Sequence, residues 1–486
     1  MNPGLPVLVK KLHIEVTGSG KEHPDLQTQG LAENFPLQEG NQLDDRRYEA
    51  GKKAILTLAL TSGFLKARFI KNRVAVRQQE KQADIELCLA TGPLYFFGKT
   101  TSEQNIITPK LFQGYIPYHF GEVYSFEVLS QFQTDLYSTG YFGKVRVEPD
   151  LSLDDKEGLH IPVNISLSQL KKKNRYSFGL GYGTDTGARG NIGWTNRIIN
   201  RWGHKPFLHV QLAEKSSRVA AGYEIPVPIL DLRYDILSFD ALYFDQIWED
   251  TVSEQLSLST SLKHNAPKYQ FGVGLEYLDE NYTAGGMNDS TYLLIPSGFF
   301  TMIVAGERVN TKNGLRINAS VQGAETSFLS STSFFQFQAG GKAILTPQAP
   351  LEQWRLLGRI NFGATAMESL DQLPPSLRFY AGGDHSVRGY AYKALGPKDD
   401  SGRVVGGQYL TEASVEIERE IFSIWSVAVF YDIGNAYDDI DADLQQGAGV
   451  GVRMTLPFGK IRLDFAEALS EDGFSPRIHL TLGSDL

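Results

Sequence analysis

Over the C-terminal two-thirds of the chain, apolar and polar residues alternate in one short run after another. Leu315, Ile317, Ala319 and Val321 interleave with Arg316, Asn318, Ser320 and Gln322; Leu256, Leu258 and Leu262 with Ser257, Ser259, Ser261 and Lys263; Phe271, Val273, Leu275 and Tyr277 with Gly272, Gly274 and Glu276. A period of two sends alternate side chains to opposite faces of a sheet. With polar residues on the second face of so many runs, the pattern predicts a closed barrel with a wet interior and an outer face against lipid, which places the protein in an outer membrane. No stretch of about 20 apolar residues occurs, so a membrane-spanning helix is not expected. After Lys171-Lys172-Lys173, roughly 312 residues remain. At about 20 residues per strand with its connection, they accommodate about sixteen antiparallel strands, the first at 176–182 and the last at 478–482. An even number returns the chain to the side on which it began.

Residues 1–170 have a different texture. A strand is expected at 9–16, a helix at 44–62 opened by an Asp cap and stopped by Gly63, and strands at 67–76 and 83–90. The same order then returns: a strand at 94–98, a short helix at 108–113, a longer helix at 122–139 stopped by Gly140, and strands at 144–148 and 160–167. Ser62-Gly63-Phe64-Leu65 aligns with Thr139-Gly140-Tyr141-Phe142 at an offset of 77 residues. This is an internal repeat of small β-α-α-β-β units. The expected domains are 1–92, 93–172 and a barrel at 173–486, whose longest inter-strand connection runs over 368–408.

Composition changes this picture little. The chain has 486 residues and a net charge of −9, which argues against wholesale nucleic-acid binding. The mean hydropathy of −0.23 looks soluble, but half of a spanning strand's residues face the lumen and are polar, so the average conceals a barrel. The 48 glycines and 11% aromatics suit a barrel interior and interfacial girdles. Trp248, Trp354 and Trp425, with Tyr243 and Tyr431, are assigned to those girdles. One cysteine, Cys88, precludes an intrachain disulfide and reads as a small strand or core residue. Met1-Asn2-Pro3 leads straight into a strand with no leader-like segment, so an exported barrel implies a mature or truncated form.

Several chemical signals carry little weight. Asp384, His385 and Ser386 are triad residue types, but adjacency along the chain does not build triad geometry. Gly447-Ala448-Gly449-Val450-Gly451 lies in an alternating strand with no helix behind it, unlike a nucleotide-binding turn. His209, His264 and His385 lack zinc-ligand spacing. Asp438, Asp439, Asp441 and Asp443 read as a solvated acidic loop. No enzyme activity, cofactor or metal is expected.

The 368–408 connection holds Pro374-Pro375 and the phrase Arg378-Phe379-Tyr380-Ala381-Gly382-Gly383-Asp384-His385-Ser386-Val387-Arg388-Gly389-Tyr390. The Val387-Arg388-Gly389-Tyr390 part closely resembles the sixth-loop signature of the BamA/TpsB superfamily of outer-membrane assembly and two-partner-secretion proteins. Tyr392-Lys393-Ala394-Leu395-Gly396-Pro397, Gly181 to Gly187, Gly449-Val450-Gly451-Val452-Arg453 and Lys460-Ile461-Arg462-Leu463-Asp464-Phe465-Ala466 resemble its TamA family, the outer-membrane subunits of translocation and assembly modules. The resemblance implies periplasmic polypeptide-transport-associated (POTRA) domains followed by a sixteen-stranded barrel whose sixth extracellular loop folds into the lumen. It implies insertion of β-barrel and autotransporter clients, with a TamB-like inner-membrane-anchored partner. The family has three POTRA domains; two are legible here.

The residues themselves point the same way. An arginine packed inside a barrel needs a carboxylate. In the strand 426–434, Val427, Val429, Tyr431 and Ile433 form the apolar face, so Asp432 points inward with Ala428, Phe430 and Gly434. A charge on the lipid face would cost about 2–4 kcal/mol at the midplane. By the same parity Glu416, Glu418, Arg453, Arg462 and Asp464 are lumenal, and the superfamily's pattern pairs the loop arginine with the aspartate matching Asp432. An Arg388–Asp432 latch is therefore expected, with Arg453, Arg462 and Asp464 around it. A second candidate is the seam between the first strand (Phe178, Gly179, Leu180, Gly181) and the short last one (Ile478, Leu480). Glycine weakens a strand, and an open seam would offer an edge to a client strand. Alternatively those glycines make room for the loop. Competing functional readings are a two-partner-secretion transporter exporting its client through the pore, and a passive porin.

Overall fold

The computed structural model describes residues 6–151, 158–183, 187–248, 251–284, 286–307, 310–439, 441–457, 459–471 and 473–485. Thr184–Thr186 of the first-strand motif and Met1-Asn2-Pro3 lie outside them. The chain divides into two compact units, Met1–Lys171 and Lys172–Leu486.

The first unit repeats one topology. β1 (Leu8–Thr17), α1 (Thr28–Glu33), α2 (Asp45–Thr61), β2 (Arg68–Arg77) and β3 (Gln82–Ala90) are followed by β4 (Phe96–Ser102), α3 (Pro109–Tyr115), α4 (Phe126–Ser138), β5 (Phe142–Pro149) and β6 (His160–Gln169). Each half forms a three-stranded sheet, ordered β1-β3-β2 and β4-β6-β5. The first strand runs parallel to the central one and the other antiparallel. The helices begin where side chains can cap them: Asp44 accepts from the Arg47 amide at 3.1 Å and Ser125 from that of Val128 at 3.4 Å. The second cap explains why α4 starts at Phe126 and not near Glu122. Gly63 follows α2 with φ +93°, a conformation open to glycine at no steric cost. Ile14, Ile55, Leu87 and their neighbours form one hydrophobic core.

The second unit is a nearly closed sixteen-stranded antiparallel barrel. Its strands are β7 (Asn174–Gly183), β8 (Gly187–Asn196), β9 (Lys205–Ala213), β10 (Ser216–Pro226), β11 (Asp235–Trp248), β12 (Thr251–Asn265), β13 (Tyr269–Ala284), β14 (Met287–Ala305), β15 (Gly314–Ala324), β16 (Phe334–Leu345), β17 (Trp354–Ala366), β18 (Tyr409–Phe422), β19 (Trp425–Tyr437), β20 (Gln445–Leu456), β21 (Gly459–Ala468) and β22 (Arg477–Gly483). They pair in chain order from β7 to β22. The alternation settles the faces. In β19, Val427, Val429 and Tyr431 are 46%, 52% and 41% exposed, while Ala428, Phe430 and Asp432 are 3%, 5% and 0%. This inverts the soluble pattern, as an apolar outer band requires.

The expectation for Trp248 is corrected. Tyr243 and Ile247 face outward, so the residue after Ile247 turns inward, and Trp248 is buried in the lumen. Trp354, Trp425, Tyr243 and Tyr431 do lie exposed on the outer face.

The connection from β17 to β18 folds into the barrel as a structured element. Phe379 and Gly407 exchange backbone hydrogen bonds at 3.0 and 2.7 Å, and Ala381 and Leu395 do so at 2.9 Å. The Arg378 guanidinium donates to the carbonyls of Leu373, Val405 and Asp371. Leu373 packs with Leu278, Leu293, Ile295 and Phe334 of the wall.

Replacing outward Val429, in the middle of β19, by arginine is expected to destabilise the lipid-embedded barrel by about 2–4 kcal/mol. Urea unfolding in lipid vesicles measures this, and unchanged stability would contradict the assigned face.

Candidate functional site: a loop clamped across the lumen

Arg388 is 6% exposed and reaches three strands of the wall. Its Nε and Nη2 donate to the two oxygens of Asp432 at 2.7 and 2.9 Å, a bidentate fork on β19. Its Nη1 donates to Glu416 at 2.8 Å and to Asp464 at 3.2 Å, on β18 and β21. Its backbone amide also donates to Asp432, at 3.1 Å. The guanidinium lies 3.4 Å from the ring centroid of Phe430. The Ser414 hydroxyl donates to Asp432 at 2.6 Å.

Arg453 on β20 shares two of these acids, donating to Glu416 at 2.8 Å and Asp464 at 2.6 Å. From there charges alternate down the wall. Glu418 lies 3.6 Å from Arg453, 2.7 Å from Arg355 and 3.4 Å from Lys460. Asp485, beyond the last strand, lies 2.7 Å from Arg355, 2.8 Å from Arg462 and 3.4 Å from Lys460, and accepts from the Thr311 amide at 3.0 Å. Arg462 therefore joins the lower end of this chain, not the group around Arg388. It is lumenal, as its parity requires, but its partner is Asp485.

Two glycines make the approach possible. Gly389 has φ +98°, and a Cβ there would sit 2.7 Å from the Glu467 carbonyl carbon. A Cβ on Gly447 of β20 would overlap the Arg388 carbonyl oxygen. Room for the loop thus comes from β20. On β7, a Cβ at Gly179 or Gly181 would meet the Asn191 and Arg189 side chains of the neighbouring strand, so those glycines accommodate β8.

The rest of the phrase is bound as well. Val387 and Tyr390 are buried with Ala381, Leu395 and Ala468. The Ser386 hydroxyl donates to Glu412 of β18, which also accepts from Asn361 at 2.8 Å. Asp384 pairs with His479 of β22 at 2.5 Å. On the far wall, the Lys393 ammonium lies 3.7 Å from the Trp248 ring centroid and 5.0 Å from that of Tyr380, and donates to Gln246 at 3.4 Å. Burial pulls this lysine down to about 8, with Glu280 partly restoring it. β11 and β19 are eight strands apart in a sixteen-stranded ring, so the loop spans a diameter. His479, Ser386, Glu412, Lys393 and Asp485 were not singled out as site residues. Parity alone nominates His479, which alternates with outward Ile478 and Leu480.

At the other candidate site, no ladder joins β7 to β22 among the described residues. β22 has seven residues, against sixteen and nineteen in β13 and β14. Phe178 and Leu180 are 77% and 91% exposed, and Ile478 is 56% exposed.

The second unit is a sixteen-stranded barrel with a structured loop clamped in its lumen, and two small α+β units precede it in the chain. The Omp85 superfamily domain model matches residues 306–485, a stretch that includes Arg388 and the acids that hold it. It is 23% identical to the outer membrane protein assembly factor BamA of Nitratidesulfovibrio vulgaris, over 50% of this chain and 32% of the relative. The chain thus spans about a third of the length of that curated relative. Its fold is similar to the crystal structure of BamA from Haemophilus ducreyi lacking POTRA domains 1–3, with a TM-score of 0.73, 14% identity, and coverage of 98% of this chain and 100% of that one. CdiB from Escherichia coli is similar at a TM-score of 0.54 and 14% identity, covering 99% and 90%.

Arg388→Ala or Asp432→Ala alone leaves a buried charge uncompensated and is expected to cost about 3–5 kcal/mol. The double variant is expected to cost less than the sum by about 1 kcal/mol or more, read by heat stability of the folded barrel; strict additivity would eliminate the pair. For Lys393, the docked loop holds a lysine titrating near 8, whereas a released loop titrates near 10.5. Between those values docking releases a proton, so docking strengthens as pH rises through that window. Lys393→Met is expected to abolish this alkaline gain, measured by protease resistance of the loop from pH 7 to 10.5.

Proposed function

We propose that this protein is an outer-membrane assembly factor of the TamA type. Residues 1–92 and 93–172 act as periplasmic POTRA domains that receive unfolded clients, and residues 173–486 form the barrel in the bacterial outer membrane. The observation that carries the reading is the unladdered seam. Among the described residues no ladder joins the sheet's two end strands, where the large side chains Phe178, Leu180 and Ile478 lie exposed. Each ladder bond missing there forgoes about 0.5–1.5 kcal/mol, so opening the wall at this place costs least. A client strand can then pair with the exposed edge by β-augmentation and enter the bilayer sideways, with no nucleotide or catalytic residue. The clamped loop, Val387 to Tyr390 with Asp432, Arg453 and Asp464, keeps the lumen occupied and the barrel poised. A TamB-like inner-membrane-anchored protein is the expected partner at the POTRA domains.

A two-partner-secretion transporter is the second reading, favoured by the two small N-terminal units. Such a protein exports its client through the pore, so the loop would have to leave the lumen during transport, while lateral insertion requires only the seam to part.

Cysteine pairs bridging residues 176–182 to 478–482 are expected to abolish client assembly when oxidised and restore it on reduction. Full client assembly by the oxidised protein would remove the seam model, and client export continuing through a locked seam would favour the secretion reading.

A further inference from the structure

We propose that His479 is the residue through which the lumenal loop holds the last strand, so that release of the loop and parting of the seam are one event. The functional meaning of this coupling rests on the seam reading above; the coupling itself rests on geometry.

β22 is laddered on one side only, to β21. Its outward residues Ile478 and Leu482 are exposed, so lipid contact gives it no fixed position. Two inward residues supply the missing anchorage. Asp485, just beyond the strand, is bound to Arg355, Lys460, Arg462 and the Thr311 amide. Near the strand's start, the His479 side chain is 2% exposed and spends both ring nitrogens on the loop. Its Nδ1 lies 2.5 Å from an oxygen of Asp384, and its Nε2 accepts from the Gly389 amide at 3.1 Å. An accepting Nε2 assigns the proton to Nδ1, which then donates to Asp384.

The register of these contacts matters. Arg388 and Gly389 are consecutive, and their amides go to different strands: Arg388 to Asp432 on β19, Gly389 to His479 on β22. The positive φ of Gly389 turns its amide toward the seam edge, and a Cβ there would press on the β21 backbone at Glu467. The loop cannot leave Asp432 without also withdrawing the Gly389 amide from His479. Conversely, β22 cannot move outward without breaking two hydrogen bonds to the loop. β22 is thus held at the seam from inside, by the loop.

Pulsed electron-spin resonance on the full chain in lipid vesicles tests this, in a Cys88→Ser background. One spin-label pair at positions 178 and 478 reports the seam; a second, at 401 and 474, reports the loop. His479→Ala is expected to add a longer seam distance while the loop distance stays as in the unaltered protein. Arg388→Ala is expected to shift both. His479→Gln is expected to restore the short seam distance, because its carboxamide accepts and donates on the same two sides. Should His479→Ala fail to fold, Asp384→Asn carries the same expectation at lower amplitude. An unchanged seam in folded His479→Ala, or a loop shift in Arg388→Ala without a seam shift, would overturn the coupling. Client insertion by the same variants is read separately: a widened seam with unaltered insertion supports the coupling and removes the seam reading.

Discussion

A guanidinium enclosed in a barrel has to find carboxylates for its donors, because water no longer serves them. Arg388 meets this demand with a bidentate fork on Asp432 and a third donor shared between Glu416 and Asp464. That arrangement constrains much of the surrounding structure. It needs three strands, β18, β19 and β21, to direct acids to one level of the lumen. It needs a glycine at 447 where the loop backbone passes and one at 389 where the chain turns away. Arg453 must then balance the acids that Arg388 does not neutralise.

Such a network contributes little net stability, since desolvating each ion offsets most of the attraction. What it fixes is position. Five cations (Arg388, Arg453, Arg355, Lys460, Arg462) alternate with five acids (Asp432, Glu416, Asp464, Glu418, Asp485) along the inner wall. Displacing one member unbalances those on either side. The loop that carries Arg388 ends on the opposite wall at Lys393 and Trp248, so it acts as a brace across the ring. The brace is uneven: one end is a saturated ion cluster, the other a lysine whose burial disfavours its charge. The ring is held most firmly on its C-terminal side, next to the junction where, among the described residues, its strands do not pair.

The barrel wall grades from strong to weak around its circumference. β13 and β14 share sixteen paired positions, whereas β21 and β22 share seven. β8 and β9 also share seven, so ladder length alone does not single out the C-terminal edge; the wall is weakest where no ladder forms among the described residues, and loop contacts to β22 compensate there.

Period-two alternation made the barrel, its sixteen strands and the inward direction of Asp432, Glu416, Arg453 and Asp464 legible in the sequence, because sidedness on a strand depends only on parity and lipid penalises the wrong choice. The helix caps at Asp44 and Ser125 are equally local. Parity stops at the face, however. Arg462 and Asp464 share a face but stand about 7 Å apart along the strand, enough to send one to Asp485 and the other to Arg388 and Arg453. Residue type alone puts Trp248 in a girdle, but its neighbour Ile247 faces outward, so Trp248 turns inward. Which lumenal residues meet across the ring, His479 with Gly389 or Lys393 with Trp248, depends on where the loop crosses and at what height. Those contacts join residues far apart in the chain, so they exist only once strand tilt and closure have brought the walls together.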